Sequence, residues 1–348
     1  MQLIYLCPAV RKPVGGVKVI YHHAQLANTL LSPEHSACVM HPNTWRHVDR
    51  WFNTGAPQKR AWFRLKWAGK PSLSNIHGAF SPSEHAVVLP ELWVRKYGNQ
   101  LLDAGVDYAI YVQNGYFISK GRAADLDRAY AGARCVLTVS DDCSACVETA
   151  FPSARSRIQR LHLGLDAADF DAKGDKDNVI TYMPRKLNDH VEKVLFFLRP
   201  HLPAHWRLEA IQGATAEQVR ARLARSKIFL SFSHFEGFGL PPLEAALSGN
   251  RVIGYSGQAG LEYWRPEIFR EVHNGDILSM VRQVIQATQE WDDHDPRPAM
   301  QGAIQDLAAR YSPEQERADL GDFLSNMGFS TISNPSAQSR VAVHESRR

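Results

Sequence analysis

Residues 231–249 limit the folds open to this chain more than any other segment does. An apolar run, 227–233, reads as a buried strand. Gly237 and Gly239 then supply a tight turn, and a helical stretch follows, opened by Pro241 or Pro242 and closed by Gly249. A turn of Gly237, Phe238, Gly239 and Leu240 that runs into a helix start leaves backbone N–H groups unpaired and aimed outward, where the helix dipole also favours negative charge. The segment predicts an anion cradle, most simply for phosphate. Glu236 sits just before the cradle and Glu244 in the first turns after it, so two carboxylates flank one crevice. Carboxylates repel a diphosphate, and their natural partners are hydroxyls. A diphosphate on the turn with sugar hydroxyls on either side is what a nucleotide sugar presents.

The string Glu236-Gly237-Phe238-Gly239-Leu240-Pro241-Pro242-Leu243-Glu244-Ala245, placed between a strand and a helix, resembles the E-x7-E signature of retaining glycosyltransferases of the GT-B fold. It is similar in particular to the large glycogen-synthase-like group called family 4. The resemblance implies an α/β architecture of two Rossmann-like domains facing each other across a cleft. It implies that Glu236 contacts the hydroxyls of the donor sugar and Glu244 those of the ribose. It also implies transfer with retention of anomeric configuration and with no metal ion or other cofactor, the nucleoside diphosphate sugar being the donor substrate.

The rest of the chain alternates strands and helices, which predicts parallel sheets. A strand over 2–7 is followed by Gly15 and Gly16 and a helical pattern over 18–31, a second place where backbone can approach a phosphate or sugar closely. The resemblance puts the Gly-rich loop of the acceptor-side domain here, facing the donor. Apolar runs at 86–90, 108–112 and 135–140 leave room for helices between them, and Gln113 and Asn114 fall at a strand's carboxyl end, where open α/β sheets bind ligands. Many family members carry a histidine near this position. An amide can hydrogen-bond a hydroxyl but cannot act as a general base, so a proton must go elsewhere, for instance to the leaving phosphate. After a polar linker at 167–178, a strand from 179 ends in Arg185 and Lys186, two cations placed to neutralise a diphosphate. Family members usually have a Gly-Arg-Leu-like segment here with the lysine further on, so the adjacent pair departs from the pattern. A strand over 206–211, a capping box from Thr215 to Gln218, a strand over 250–255 and a loop with Gly257 and Gly260 complete the second half around the same cleft. The expected organisation is an acceptor-side domain at 1–168, a donor-binding domain at 178–311, a helix crossing back at 312–329 and a disordered tail at 330–348.

Between 40 and 70 the chain turns basic and aromatic, with Trp62 and Arg64 among the interleaved residues. Such a stretch suits a glycan that stacks on tryptophan, an anionic membrane surface bearing a lipid-linked acceptor, or nucleic acid. The formal charge of +4 does not by itself argue for nucleic acid. No apolar run approaches the roughly 20 residues of a membrane span, and the first residues lack the basic start of a signal peptide. Five cysteines are an odd, sparse set that fits a reducing cytoplasm, with peripheral contact at the inner membrane surface. Cys143 and Cys146 read as buried helix residues more readily than as half a metal site. Three alternatives stay open: another GT-B reaction such as a 2-epimerase, sugar transfer to nucleic acid, and a catalytically silent module that binds a nucleotide sugar.

Overall fold

The computed structural model describes residues 1–10, 14–42, 55, 57–61, 79–119, 123–170, 172–184 and 186–332. Among them are two parallel sheets, of seven and five strands. The first contains β1 (Gln2–Leu6), β2 (Ser36–Pro42), β3 (Gln58–Ala61), β4 (His85–Pro90), β5 (Tyr108–Val112), β6 (Cys135–Thr138) and β7 (Ile158–Arg160), in the order β3-β2-β1-β4-β5-β6-β7. Each strand pairs parallel to its neighbours. All five residues of β5 are buried, as a strand covered on both faces requires, and this is why it reads as one unbroken apolar run. Its helices include α1 (Gly15–Leu30), α2 (Asn99–Asp103), α3 (Ala123–Gly132) and α4 (Asp141–Ala150). Helix α1 buries Val17, Ile20, Tyr21, Ala24 and Ala27, the spacing of one helical face.

The second sheet contains β8 (Asp177–Tyr182), β9 (Arg207–Ala210), β10 (Ser226–Glu236), β11 (Arg251–Gln258) and β12 (Phe269–Glu271), in the order β12-β11-β10-β8-β9, again all parallel. Around it lie α5 (Asn188–Leu198), α6 (Ala216–Arg225), α7 (Leu240–Leu247), α8 (Ile277–Asp293) and α9 (Arg297–Arg310). Thr215 and Gln218 form the expected capping box at the start of α6. In each sheet the chain first winds outward and then returns to the other side of its first strand. The reversal falls between β1 and β4 in one sheet and between β8 and β10 in the other, and ligands of such sheets bind at the carboxyl ends of those strands.

The last helix, α10 (Pro313–Asn326), lies against the first half of the chain. Arg134 donates to the Asn326 carbonyl, and His162 Nδ1 lies 2.7 Å from Asp319. Ser32 and Ile332 donate to the carbonyls of Ser330 and Leu30, so the chain remains paired through Ile332, and the tail expected from 330 onward otherwise lies outside the described residues. One apolar core runs from the first sheet through Phe238, Tyr263, Phe269 and Tyr311 into the second, while a smaller one fills the space between the second sheet, α5 and α8. No described helix is long and apolar enough to cross a membrane. The short strands β7 and β12 and the helix α9 carry too few residues or too weak an apolar periodicity to be anticipated.

Candidate active site

Lys186 follows β8 and Glu236 ends β10, the two strands that flank the reversal point of the second sheet. The strand β10 overshoots β8, pairing with it as far as Leu230 and continuing to Glu236 against β11. This overshoot carries Glu236 to Lys186, whose Nζ lies 2.6 Å from Glu236 Oε1. Gly257 presses on the same carboxylate: a Cβ there would stand 2.6 Å from Ser233 Cβ and 3.2 Å from Glu236 Cγ. Among the described residues, the non-glycine positions in the left-handed region are Leu187 (φ 49°), Phe235 (φ 45°) and Gln258 (φ 73°). All three adjoin this pair, since Leu187 follows Lys186, Phe235 precedes Glu236 and Gln258 is Glu236's partner in the β10–β11 register. Each such residue costs on the order of 1–3 kcal/mol and persists only where its surroundings hold it, which is typical of ligand sites.

The turn after Glu236 is packed tightly. Gly239 caps α7 with φ 84°, and Tyr263 Oη donates to its carbonyl at 2.6 Å. The Phe238 ring points inward, 5.4 Å from Tyr263 and 5.2 Å from Tyr311, with the Arg160 guanidinium 5.9 Å away. Phe238 therefore offers the crevice only its backbone. Pro241 and Pro242 carry no N–H, so donors at the start of α7 come from the turn and from Leu240. Glu244 stands on α7, where burial pushes its carboxyl above the usual range while the charges of Lys18 and Arg220 pull it down. Lys18 belongs to α1, so the first half of the chain supplies the facing wall.

The turn after β5 closes that wall. A Cβ on Gly237 would lie 1.6 Å from the Gln113 carbonyl oxygen, and one on Gly16 2.2 Å from Gln113 Oε1. Gln113 Nε2 donates to the Gly16 carbonyl at 3.2 Å, and Asn114 Nδ2 to the Phe235 carbonyl at 2.8 Å. Beneath them Cys143 Sγ accepts from the Gly115 N–H and donates to the Gly237 carbonyl, and burial pushes this thiol up to about 12. Cys143 is thus a packed junction residue, whereas Cys146, expected to be buried with it, is half-buried. The ring of Tyr116 lies 4.7 Å from that of Phe235, which is half exposed. Glu91, at the carboxyl end of β4, is buried beneath this turn and accepts the N–H groups of Gln113 and Asn114. Burial raises its carboxyl to about 7, against those hydrogen bonds. A second junction lies deeper: Glu262 receives Arg160 at 2.5 Å, Tyr311 Oη at 2.9 Å and the Asp141 N–H at 2.6 Å.

The structure thus gathers Glu236, Lys186, Gly237, Gly239, Gln113, Asn114 and Gly16 into one junction, with Leu240 and Glu244 following on α7. Gly15 is exposed, and a Cβ there would meet nothing within 4 Å, whereas Gly260 is buried against Tyr263 and Trp264. Arg185, Trp62 and Arg64 lie outside the described residues. Sequence reasoning missed Glu91, although a charged residue directly after an apolar run that ends a strand was a usable signal. It also missed Phe235, Tyr116 and the Glu262 junction, whose partners are far apart in the chain. Among the described residues, the grouping of His, Cys, Asp or Glu side chains close enough to share an ion is on α1 and α10, not beside Glu236.

Among solved structures, HepE of Anabaena in complex with UDP-glucose is similar to this chain at a TM-score of 0.71 and 12% identity, covering 93% of this chain and 99% of that one. The fold is GT-B. Sucrose-phosphate synthase from Thermosynechococcus elongatus superposes with a TM-score of 0.66 at 13% identity over 94% of this chain and 99% of that one. The apo form of the lipopolysaccharide outer core galactosyltransferase WaaB gives 0.63 at 14% over 93% and 100%. In sequence, 106 residues are 28% identical to an alpha-1,6-glucosyltransferase of Actinobacillus pleuropneumoniae serotype 7 (strain AP76). That match spans 29% of this chain and 32% of the relative, about a third of its length. No family model matches the chain. Within the GT-B frame, the Lys186–Glu236 pair and the Gln113–Asn114 turn stand at the carboxyl ends of strands in opposite sheets, one on each wall of a common crevice.

Proposed function

We propose that this protein is a glycosyltransferase of the family 4 type, moving a sugar from a nucleoside diphosphate sugar to a glycan or lipid-linked acceptor, with retention and without a metal ion. The observation that carries the reading is the placement of Glu236 and Glu244 on either side of a buried glycine turn, with Lys186 beside it and the Gly16–Gln113 wall opposite. Uridine is the base we assign, because HepE was solved with UDP-glucose and shares the fold over nearly its whole length. Residues 178–311 then form the donor lobe and 1–168 the acceptor lobe, with 312–329 crossing back.

In this reading the bond from the anomeric carbon to the diphosphate breaks as the acceptor oxygen bonds to that carbon, and the acceptor's proton passes to the leaving phosphate. Gln113 cannot take that proton. Negative charge grows on the leaving group, and fixed donors there supply most of the rate enhancement. Lys186 exchanges Glu236 for the diphosphate, joined by Arg185 and by the N–H groups of Gly237, Phe238, Gly239 and Leu240. Glu236, released, orients the sugar hydroxyls, and Glu244 holds the ribose. Gly15, Gly16 and Gly260 let backbone approach the donor, while Asn114, Trp62 and Arg64 serve the acceptor side. The site works at the cytoplasmic face of the membrane or free in the cytoplasm.

Calorimetric titration with UDP and UDP-glucose, each with and without EDTA, tests the donor assignment. Loss of a hydrogen bond to a charged group removes about 1.5–3 kcal/mol, so Glu244→Ala should bind UDP roughly 10- to 100-fold more weakly. Unchanged affinity in that variant would remove the ribose assignment. A catalytically silent nucleotide-sugar-binding module is the second reading, favoured by one observation: the Gln113 amide is already engaged by Gly16. Release of UDP from UDP-glucose, even slowly by hydrolysis, decides between them.

A further inference from the structure

On α1, two adjacent histidines meet one glutamate from α10. His22 Nε2 lies 2.8 Å from Glu316 Oε2, and His23 Nε2 lies 2.9 Å from Glu316 Oε1. The three ligand atoms all fall within 4.8 Å of one another. Neighbours on a helix diverge by about 100°, so two successive imidazoles reach a single carboxylate only because that carboxylate is brought in from a second helix, α10.

We propose that His22, His23 and Glu316 form a binding site for one divalent first-row transition-metal ion, which staples α10 to α1. Imidazole with carboxylate is a donor set that suits zinc, nickel and cobalt. With metal–ligand bonds of about 2.0–2.2 Å, separations of 2.8 and 2.9 Å between neighbouring donors correspond to ligands near a right angle on one ion. This is the arrangement of a chelating carboxylate with an imidazole beside each oxygen. The support around the donors is also that of a metal site. Tyr111 Oη lies 2.9 Å from His23 Nδ1 and fixes the ring with Nε2 towards Glu316. The backbone of Gly164 packs so closely on Glu316 that a Cβ there would stand 2.8 Å from Oε2. His23 and Glu316 are buried, whereas the His22 side chain is 50% exposed and opens a path for the ion and for water ligands. Lys18, one turn before His22, is the opposing charge and lowers the affinity.

The staple lies where the chain crosses between the two halves. Leu165 donates to the Tyr311 carbonyl at 2.7 Å, and Glu316 follows within the first turn and a half of α10. His22 is about 10 Å along α1 from Gly15 by helical rise. The ion is therefore structural, and this inference stands whether or not the proposed transferase reaction is right.

The test uses the full chain, dialysed against EDTA and then titrated with ZnCl2 by calorimetry and with CoCl2 by visible absorption. The expected result is one ion per chain, micromolar or tighter, with a cobalt spectrum of nitrogen and oxygen ligation. His22→Asn, at a half-exposed position that leaves the His23–Glu316 contact in place, should lose at least 10-fold in affinity. Tyr111→Phe, which removes only the outer support, should lose about 10-fold. Absence of stoichiometric binding, affinity unchanged in His22→Asn, or a cobalt spectrum of thiolate ligation from Cys146 would overturn the proposal.

Discussion

Gly237→Ala is the substitution that most directly tests whether the two walls must touch. Gly237 does not occupy the left-handed region, so alanine suits its backbone and the effect is one of contact alone. The added Cβ would lie 1.6 Å from the Gln113 carbonyl oxygen and 2.9 Å from Asn114 Cα, whereas ordinary contact begins at 3.4 Å. Both neighbours are backbone, so neither yields by changing a rotamer. The turn after Glu236 and the turn after β5 must part by about 2 Å. That movement strains the Asn114–Phe235 and Cys143–Gly237 hydrogen bonds, each contributing about 1 kcal/mol, and overpacking of this kind costs about 1–3 kcal/mol. Under the proposed transferase reaction a misplacement of about 1 Å lowers turnover on the order of 100-fold, so release of UDP from UDP-glucose should fall at least that far. Urea unfolding and the UDP-release assay are run beside Gly321→Ala, a change inside α10 where nothing lies within 4 Å. The control should gain about 0.5–1 kcal/mol, as alanine replaces glycine in a helix. A Gly237→Ala protein with turnover within threefold of the parent and unchanged stability would show that the junction opens freely.

Glu91 gives a pH dependence with a definite sign. Its carboxyl is raised from 4.5 to about 7 in the fold, so the unfolded chain loses its proton first and stability falls as pH rises through this window, by roughly 3 kcal/mol in all at about 1.4 kcal/mol per pH unit. Glu91→Gln should abolish this decline, seen as a gap between the two proteins' urea unfolding energies that changes from pH 5 to pH 8; parallel profiles would refute the buried ionisation. Glu262→Gln weakens a carboxylate whose side chain is 5% exposed and faces Arg160 at 16%, and uncoupling such a pair costs about 3–5 kcal/mol. The loss should appear in urea unfolding, and a loss below 1 kcal/mol would mean that water already screens the junction. Lys176 Nζ donates to the carbonyls of Leu223, Ala224, Ser226 and Ser248, so Lys176→Met should destabilise by about 2–3 kcal/mol, and an unchanged midpoint would contradict its bracing role.

Local chemistry made the second half of the chain readable. The strand β10, the Gly239 cap and the start of α7 all follow from neighbours in sequence: an apolar run, a glycine at φ 84° and two prolines that only a helix start tolerates. The capping box at α6 was legible for the same reason. What sequence did not convey is what occupies the other wall. Phe238 sits inside the glycine turn and by position alone suggests a ligand contact, yet its ring belongs to the core with Tyr311, a residue from the far end of the chain. Lys186 and Glu236 were each legible as ligand-facing, but their 2.6 Å pairing depends on how far β10 overshoots β8, a register that periodicity does not encode.

The role of Gln113 follows from the same distinction. Read along the chain, an amide where a base is common argues only that a proton must leave by another route. In three dimensions its side chain holds Gly16 and its carbonyl oxygen abuts Gly237, so a single residue spans two glycine turns from opposite halves. A side chain already used to set the spacing of the walls cannot also move toward an acceptor without opening them. Under the proposed transfer, this constraint leaves the acceptor's proton to the leaving phosphate while the protein positions the reactants. Gln113→Ala separates spacing from proton transfer: it deletes the Gly16 contact but leaves the carbonyl against Gly237. Lost spacing should weaken UDP-glucose binding and turnover together with no new pH dependence. A loss confined to turnover, with donor affinity intact, would instead make the amide a direct participant in the reaction.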